Sequence, residues 1–207
     1  DHGLQKVIFA STGGAIYGEP DYTPQDEEHP LRPLSPYGIT KLITEKYLHF
    51  YRHQYDIESV VLRYANVYGP RQNAHGDAGV VAIFTQQMLD GKHPIINGLG
   101  FQTRDYVFVG DVVRANLAAL DYEGSGTFNI GTSKETTVNF LFRLIRVESG
   151  AHTAMKHGPD KPGEQQRSVL SYEHAEQELG WSPTVSVQDG LARTVDWFRE
   201  QREPVMA

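Results

Sequence analysis

Cysteine is absent from all 207 residues. That excludes disulfides, thiolate zinc sites and a cysteine nucleophile. Also missing is any apolar run near the ~20 residues that a membrane-spanning helix needs. No signal-peptide pattern opens the chain. Basic residues are in deficit: 19 Lys and Arg face 26 Asp and Glu, giving a formal net charge of −7. Neither a nucleic acid nor a membrane is therefore an expected partner. A phosphorylated small molecule stays within reach, because a few local cations suffice to hold one. No internal repeat or low-complexity tract appears. A cytoplasmic enzyme is the expectation. One more absence matters. No glycine-rich strand–turn–helix of the dinucleotide-binding kind is present, and Gly98-Leu99-Gly100 is followed by no helical pattern.

What is there alternates between strand and helix. Lys6-Val7-Ile8-Phe9-Ala10 reads as a buried strand that stops at the turn Ser11-Thr12-Gly13-Gly14. Residues 19–36, rich in Pro, Asp and Glu, read as a surface loop. Ser35-Pro36 supplies an N-cap and a first-turn proline for a helix over 36–54. Strands are predicted at 57–64, 106–109 and 127–130. Helices are predicted at 80–89, 110–120 (capped by Gly110 or Asp111), 138–148, 172–179 and 187–201. The fold class is α/β with a parallel sheet, and the last third, poor in strand signals, suggests a smaller second lobe.

Tyr37 and Lys41 stand one turn apart on the first long helix. A free phenol, with pKa near ~10, is a poor base at neutral pH. A fixed ammonium beside it favours the phenolate, as a general base for an alcohol proton requires. Chance supplies such a pair easily, so it needs context. Ser11-Thr12 ends a strand, where open α/β sheets place their ligands, and its hydroxyls read as partners for the same substrate oxygen. Arg63-Tyr64-Ala65-Asn66-Val67-Tyr68-Gly69-Pro70-Arg71 is read as ending a second strand, through Asn66, on the same edge. His49 and His53, at i and i+4, lack a third ligand in any known spacing, so a metal module is a remote alternative.

Together these segments resemble the extended short-chain dehydrogenase/reductase family. Gln102-Thr103-Arg104-Asp105-Tyr106-Val107, Asp111-Val112-Val113, Asn129-Ile130-Gly131, Lys161-Pro162-Gly163-Glu164 and Leu179-Gly180-Trp181-Ser182-Pro183 extend the match in order along the chain. Single motifs of this set are weak, but the ordered set is specific. The resemblance implies a partial Rossmann-like sheet (1–66 and 104–134) and a sugar-nucleotide lobe (67–103 and 135–207). It implies NAD as cofactor, with Ser11, Tyr37, Lys41, Tyr64 and Ala65 against it. Thr12, Tyr37 and Lys41 would be catalytic. Asn66, Gly79, Val80, Asn97, Arg104, Lys161, Glu164 and Ser168 would hold a UDP-sugar, with Ile95–Asn97 alongside the uracil. The helix of Tyr37 would pair with its copy in a homodimer. An ion pair of Arg104 with Asp105 or Glu123 is the ordinary alternative for that residue.

Members of the family share oxidation at sugar C4 to a keto intermediate and differ in how that intermediate is used. Dehydratases and decarboxylases carry acidic residues directly after the catalytic threonine, whereas here Gly13-Gly14-Ala15 succeeds Thr12. The variant Ser-Thr-Gly-Gly-Ala-x-Tyr-Gly resembles the 4-epimerase branch, and the expected reaction is C4 epimerisation of UDP-glucose and UDP-galactose. Ser168 stands where a bulky residue in some members closes the pocket at the sugar 2-position, so N-acetylated sugars are expected to enter. Lys161 replaces a common second arginine, and Asn97 a common stacking aromatic. The family's cofactor-binding first third is expected to precede Asp1, leaving the first strand with a raw edge. A non-catalytic sugar-nucleotide-binding fragment, or a related dehydratase or decarboxylase, are the alternatives.

Overall fold

The chain, described here by a computed structural model over residues 3–75 and 79–202, alternates short strands with helices. The division expected above also takes in residues 1–2, 76–78 and 203–207, which lie outside the described residues. In order come β1 (Lys6–Thr12), α1 (Gly13–Tyr17), α2 (Pro36–Tyr55), β2 (Glu58–Tyr64), β3 (Asn66–Tyr68) and α3 (Val80–Leu89). Then follow β4 (Ile95–Asn97), β5 (Thr103–Arg104), β6 (Tyr106–Phe108), α4 (Val109–Asp121) and β7 (Gly126–Ile130). The chain finishes with β8 (Thr136–Thr137), α5 (Val138–Ser149), β9 (Lys156–Gly158), α6 (Glu173–Leu179) and α7 (Val187–Glu200).

Three parallel strands in the order β1-β2-β7 form the main sheet. Register sets Thr12 opposite Tyr64, and Tyr64 opposite Ile130, so the three strands end level. Alternate residues of β2 face opposite sides, as a pleat requires. Val60 and Leu62 pack with Val112, Ala115 and Ala119 of α4 and with Ala175 and Trp181. Arg63, on the other side, reaches Glu45 of α2. A second apolar cluster joins α3, α5 and α7 around Phe84, Phe142 and Leu191, with Tyr68, Tyr106 and Phe108 from the β3–β6 pair. Ala175 and Trp181 thus pack with the sheet, although the expected division assigns 135–207 to the other lobe.

Three expectations are corrected. The first strand runs on to Thr12, and of its residues only Ser11 is buried. Its half-exposure follows from its place at the sheet edge, with β2 on one side only among the described strands. The helix after β6 begins at Val109 with Phe108 at its N-cap, so neither Gly110 nor Asp111 caps it. The strand expected to end at Asn66 breaks at Ala65: β2 stops at Tyr64, and Asn66 opens β3, which pairs with β6 instead.

Local chemistry explains the long helix. The Ser35 hydroxyl accepts from the Gly38 N–H at 3.1 Å, and Pro36 enters the first turn. Gly38 is required sterically, since a Cβ there would collide with the Ala15 carbonyl oxygen. Asp56, in the left-handed region, caps the far end.

Two buried carboxylates act as latches. Asp111 accepts from the Thr184 and Val185 N–H groups (3.1 and 3.0 Å), the Thr184 hydroxyl (2.8 Å) and Arg114 (2.7 Å). Burial alone would raise its pKa; Arg114 and the Thr184 and Val185 donors outweigh that and hold it below the ordinary value. Asp105 accepts from the Thr132 N–H and hydroxyl (2.9 and 2.5 Å) and from the Ser133 and Leu170 N–H groups, both 3.3 Å. Burial pushes its pKa up to about 6 against the pull of those donors.

Asp111→Ala orphans several buried donors and should cost about 2–4 kcal/mol in urea unfolding; a cost under ~1 kcal/mol would mean the latch carries no stability. For Asp105 the folded pKa lies above the unfolded one. Its stabilising contribution is complete below ~3.9 and is lost as pH rises through about 6. Carboxyl NMR titration should place its midpoint near 6, and a midpoint in the ordinary range would contradict the burial argument.

Candidate active site

The level ends of β1 and β2 open into a cleft, as the carboxyl edge of an open parallel sheet does. One chamber, of about 270 Å³, is lined by Thr12, Gly14, Tyr64, Ala65, Asn66, Arg104 and Gln165, among others. Its ionisable lining groups among the described residues are Tyr64 and Arg104. A second chamber, of about 450 Å³, is lined by Gly79, Val80, Ile95, Asn97, Tyr106, Lys161 and Glu164, and shares Asn66 and Arg104 with the first. The two chambers adjoin, with Asn66 and Arg104 at the waist between them. Thr12, Tyr64, Ala65, Asn66, Gly79, Val80, Asn97, Arg104, Lys161 and Glu164, separated by as many as about 150 positions, come together around it.

Arg104 is held by two contacts. One guanidinium nitrogen donates to the Thr103 carbonyl at 2.7 Å, and another lies 3.7 Å from the Glu164 carboxylate. Its ionic partner is thus Glu164, and neither Asp105 nor Glu123 pairs with it. The loose single contact leaves guanidinium donors for a diphosphate, which planar guanidinium recognises bidentately. The N-terminus of α3 at Gly79 and Val80 borders the same chamber, and α3 is ten residues long, so its free N–H groups add to the anion's reception.

Tyr37 and Lys41 lie on the β1 side. Tyr37 is 56% exposed, and the Lys41 ammonium sits 5.7 Å from its ring centroid. That ammonium donates to the Ala10 carbonyl at 2.7 Å and lies over the Phe9 ring. Thr12 turns its hydroxyl back to the Ala15 N–H at 3.5 Å, capping α1. Neither Tyr37 nor Lys41 lines either chamber; Leu34 and Ser35, which lead into the helix of Tyr37, line the first.

Two expected site residues sit elsewhere. Ser11 is buried, and its hydroxyl donates to Glu45 at 2.5 Å, so its side chain is not presented to a cofactor. Ser168 is buried behind the cleft wall, its hydroxyl 3.0 Å from where a Cβ on Gly14 would lie. It bears on the first chamber through Gly14. The His49 and His53 rings lie 4.9 Å apart, tilted by 56°, and among the described residues no group of three possible ligands forms around a metal position.

Sequence reasoning missed Tyr106, Gln102 and Gln165. The Tyr106 hydroxyl is buried without a hydrogen-bond partner and borders the second chamber. Burial raises its pKa, with Arg104 opposing and Glu164 adding to that shift. Gln102 and Tyr106 lie in the very motif that singled out Arg104, and strand alternation from Arg104 was the available signal. Gln165, whose amide donates to the Gly18 carbonyl, gave no signal.

Comparison with known proteins agrees with this geometry. A family profile, NAD dependent epimerase/dehydratase family, matches residues 1–131. A putative UDP-glucose 4-epimerase of Methanocaldococcus jannaschii is 48% identical over 196 residues, covering 95% of this chain and 64% of its own length. The crystal structure of a Thermotoga maritima UDP-glucose 4-epimerase with UDP-glucose superposes with a TM-score of 0.95 at 50% identity, over 97% of this chain and 65% of that one. A Thermus thermophilus UDP-glucose 4-epimerase complex with NAD gives a TM-score of 0.88 at 42% identity, over 95% of this chain and 65% of that one. The chain thus spans about two thirds of the length of these relatives. It belongs to the NAD dependent epimerase/dehydratase family.

Proposed function

We propose that this chain forms the catalytic and sugar-nucleotide-binding part of an NAD-dependent UDP-sugar 4-epimerase. The observation that carries the reading is the two-chambered cleft. Its small chamber is lined by Thr12, two residues beyond the Ala10 carbonyl that seats Lys41, and by Ser35, which caps the helix of Tyr37; its large chamber shares Asn66 and Arg104 with the small one. A sugar fits the first, a nucleoside the second, and the diphosphate between them meets the guanidinium. The relatives support it: the Thermotoga structure holds UDP-glucose and the Thermus one NAD.

The residues present fit the nicotinamide end of NAD. The β1 edge, Phe9 and the seated Lys41 ammonium offer an apolar bed and a cation for a ribose hydroxyl. Among the described residues none offers the usual glycine-rich turn onto a long helix, since α1 has five residues. When bound, NAD supplies a hydride acceptor and donor for sugar C4. Tyr37 takes the proton of the 4-hydroxyl and later returns it. Lys41 steadies the phenolate electrostatically, Thr12 donates to the 4-oxygen, and Arg104 with Asn66 holds the diphosphate while the ring turns over.

Epimerisation is favoured over dehydration or decarboxylation by the chemistry of the small chamber. Gly14 lines it and Gly13 is packed against Leu170, so no second acid or base follows Thr12. The small pair Gly14 and Ser168 supports room for an N-acetyl group. The alternative of a sugar-nucleotide-binding fragment is favoured by one observation, that the nucleotide chamber is complete within the chain whereas the β1 edge is open. A homodimer through α2 is supported by Ile39, Ile43, Tyr47, Phe50, Tyr51 and Tyr55, all exposed on that helix. No helix among the described residues is long and apolar enough to cross a membrane.

In the full-length gene product, Tyr37→Phe should lower kcat with UDP-glucose about 10²–10⁴-fold and leave UDP affinity unchanged. Unchanged turnover would sink the mechanism, and UDP binding without turnover by the wild type would favour the fragment. Arg104→Ala should weaken UDP binding roughly 10–100-fold by calorimetry. UDP-N-acetylglucosamine should be turned over alongside UDP-glucose. Ser168→Tyr, which must push the Gly14 wall inward, should remove the first activity more than the second; equal losses would refute the size argument.

A further inference from the structure

Helix α2 is twenty residues long, yet only Gly38 and Glu45 are fully buried on it. Its apolar contact includes the half-buried Leu42 against Ile16, Tyr17 and Leu170, and no apolar side chain of the helix is fully buried. Gly38 meets α1 by close backbone approach. Glu45 meets the sheet by charge. Its Oε2 accepts from Arg63 Nη2 at 2.7 Å, and its Oε1 from Arg63 Nε at 3.2 Å and from the Ser11 hydroxyl at 2.5 Å. Arg63 is opposite Ser11 in the β1–β2 register, so one carboxylate grips two adjacent strands at the same height. Beyond it, Arg63 Nη1 donates to the Tyr17 hydroxyl, and that hydroxyl to Asn129 of β7, both at 2.8 Å.

Tyr37, Lys41 and Glu45 follow at four-residue steps along α2 and share a face. On β1, Ala10 receives Lys41, Ser11 binds Glu45, and Thr12 is the next residue. A helix held by apolar contacts can slide or roll; one held by a bidentate charge pair has a single register.

We propose that Glu45 and Arg63 are positioning residues for the acid–base centre. Their pair sets the rotation and height of α2 on β1, and through it the placement of Tyr37 and Lys41 relative to the Thr12 hydroxyl. A buried ion pair adds little net stability over an apolar pair of similar size. A misplacement of about 1 Å costs on the order of 10² in rate. The effect therefore belongs in kcat, not in substrate binding, because Arg104 and the nucleotide chamber are built from other elements.

The test uses the full-length protein with Glu45→Gln, Arg63→Met and the double variant, following NAD-linked turnover of the sugar nucleotide. Each single variant leaves a charged or polar group unpaired and should lower both the unfolding midpoint and kcat, the latter about 30–100-fold, with KM within about twofold of wild type. In the double variant no buried charge is left unpaired. Its unfolding midpoint should return toward wild type while kcat stays low. Recovery of kcat together with the midpoint would overturn the proposal, as would wild-type kcat in either single variant. Should the singles fail to fold, the double variant decides alone. The proposal rests on Tyr37 and Lys41 as the acid–base centre. Failure of that reading appears as unimpaired turnover in Tyr37→Phe, and failure of this one in the double variant, so the two are distinguishable.

Discussion

A carboxylate that pairs with no cation among the described residues holds the cleft together. Asp105 is buried, and its oxygens accept from Thr132, Ser133 and Leu170. Its own carbonyl accepts the Asn66 N–H at 2.9 Å. One residue thus ties the loop after β7, the segment 168–170 and the start of β3 to the residue next to Arg104. The same crowding explains Gly131, where a Cβ would press on the Asp105 carboxylate at 2.5 Å. Burying a charge this way is costly unless every lone pair is met. Here the donors are mostly backbone N–H groups, which cannot turn away, and the raised pKa records the balance that remains.

Charge is segregated accordingly. Among the described residues the first chamber has Arg104 as its one cationic lining group and otherwise neutral walls, the Tyr64 phenol among them. The Glu45–Arg63 pair lies behind β1, where α2 covers the sheet. Glu164 stands beyond the waist with Arg104. The groups that hold the scaffold in register are thus kept out of the first chamber.

Much of this could be read from residue order. Ser35-Pro36 announced α2 because capping is local, and Val80–Leu89 showed as an apolar run long enough for a helix, whereas Ile95–Asn97 came only with the family resemblance. The short pairings β5–β8 and β4–β9 could not be read, since two- and three-residue strands carry no periodicity. Asp111 looked like a cap because Asp favours caps; its actual partners, Thr184 and Val185, are more than seventy positions away. Arg104, Asn66 and Lys161 were legible through motifs, and the cleft brings them together. Ser11 was misplaced because a hydroxyl at a strand end says nothing of which way it turns, and Glu45, its partner, lies 34 positions away in a helix otherwise read for Tyr37 and Lys41.

The order of the main sheet has its own bearing. β2 ends at Tyr64, and its neighbour β7 begins only at Gly126. Between them the chain leaves to build α3 and β3–β6 and comes back along α4, while α5 and α7 complete the second cluster afterwards. Neither cluster is a continuous stretch of chain. Each therefore closes only when the other is in place, and the two should melt in one cooperative step instead of two. A protease nick in the excursion would liberate no independently stable piece.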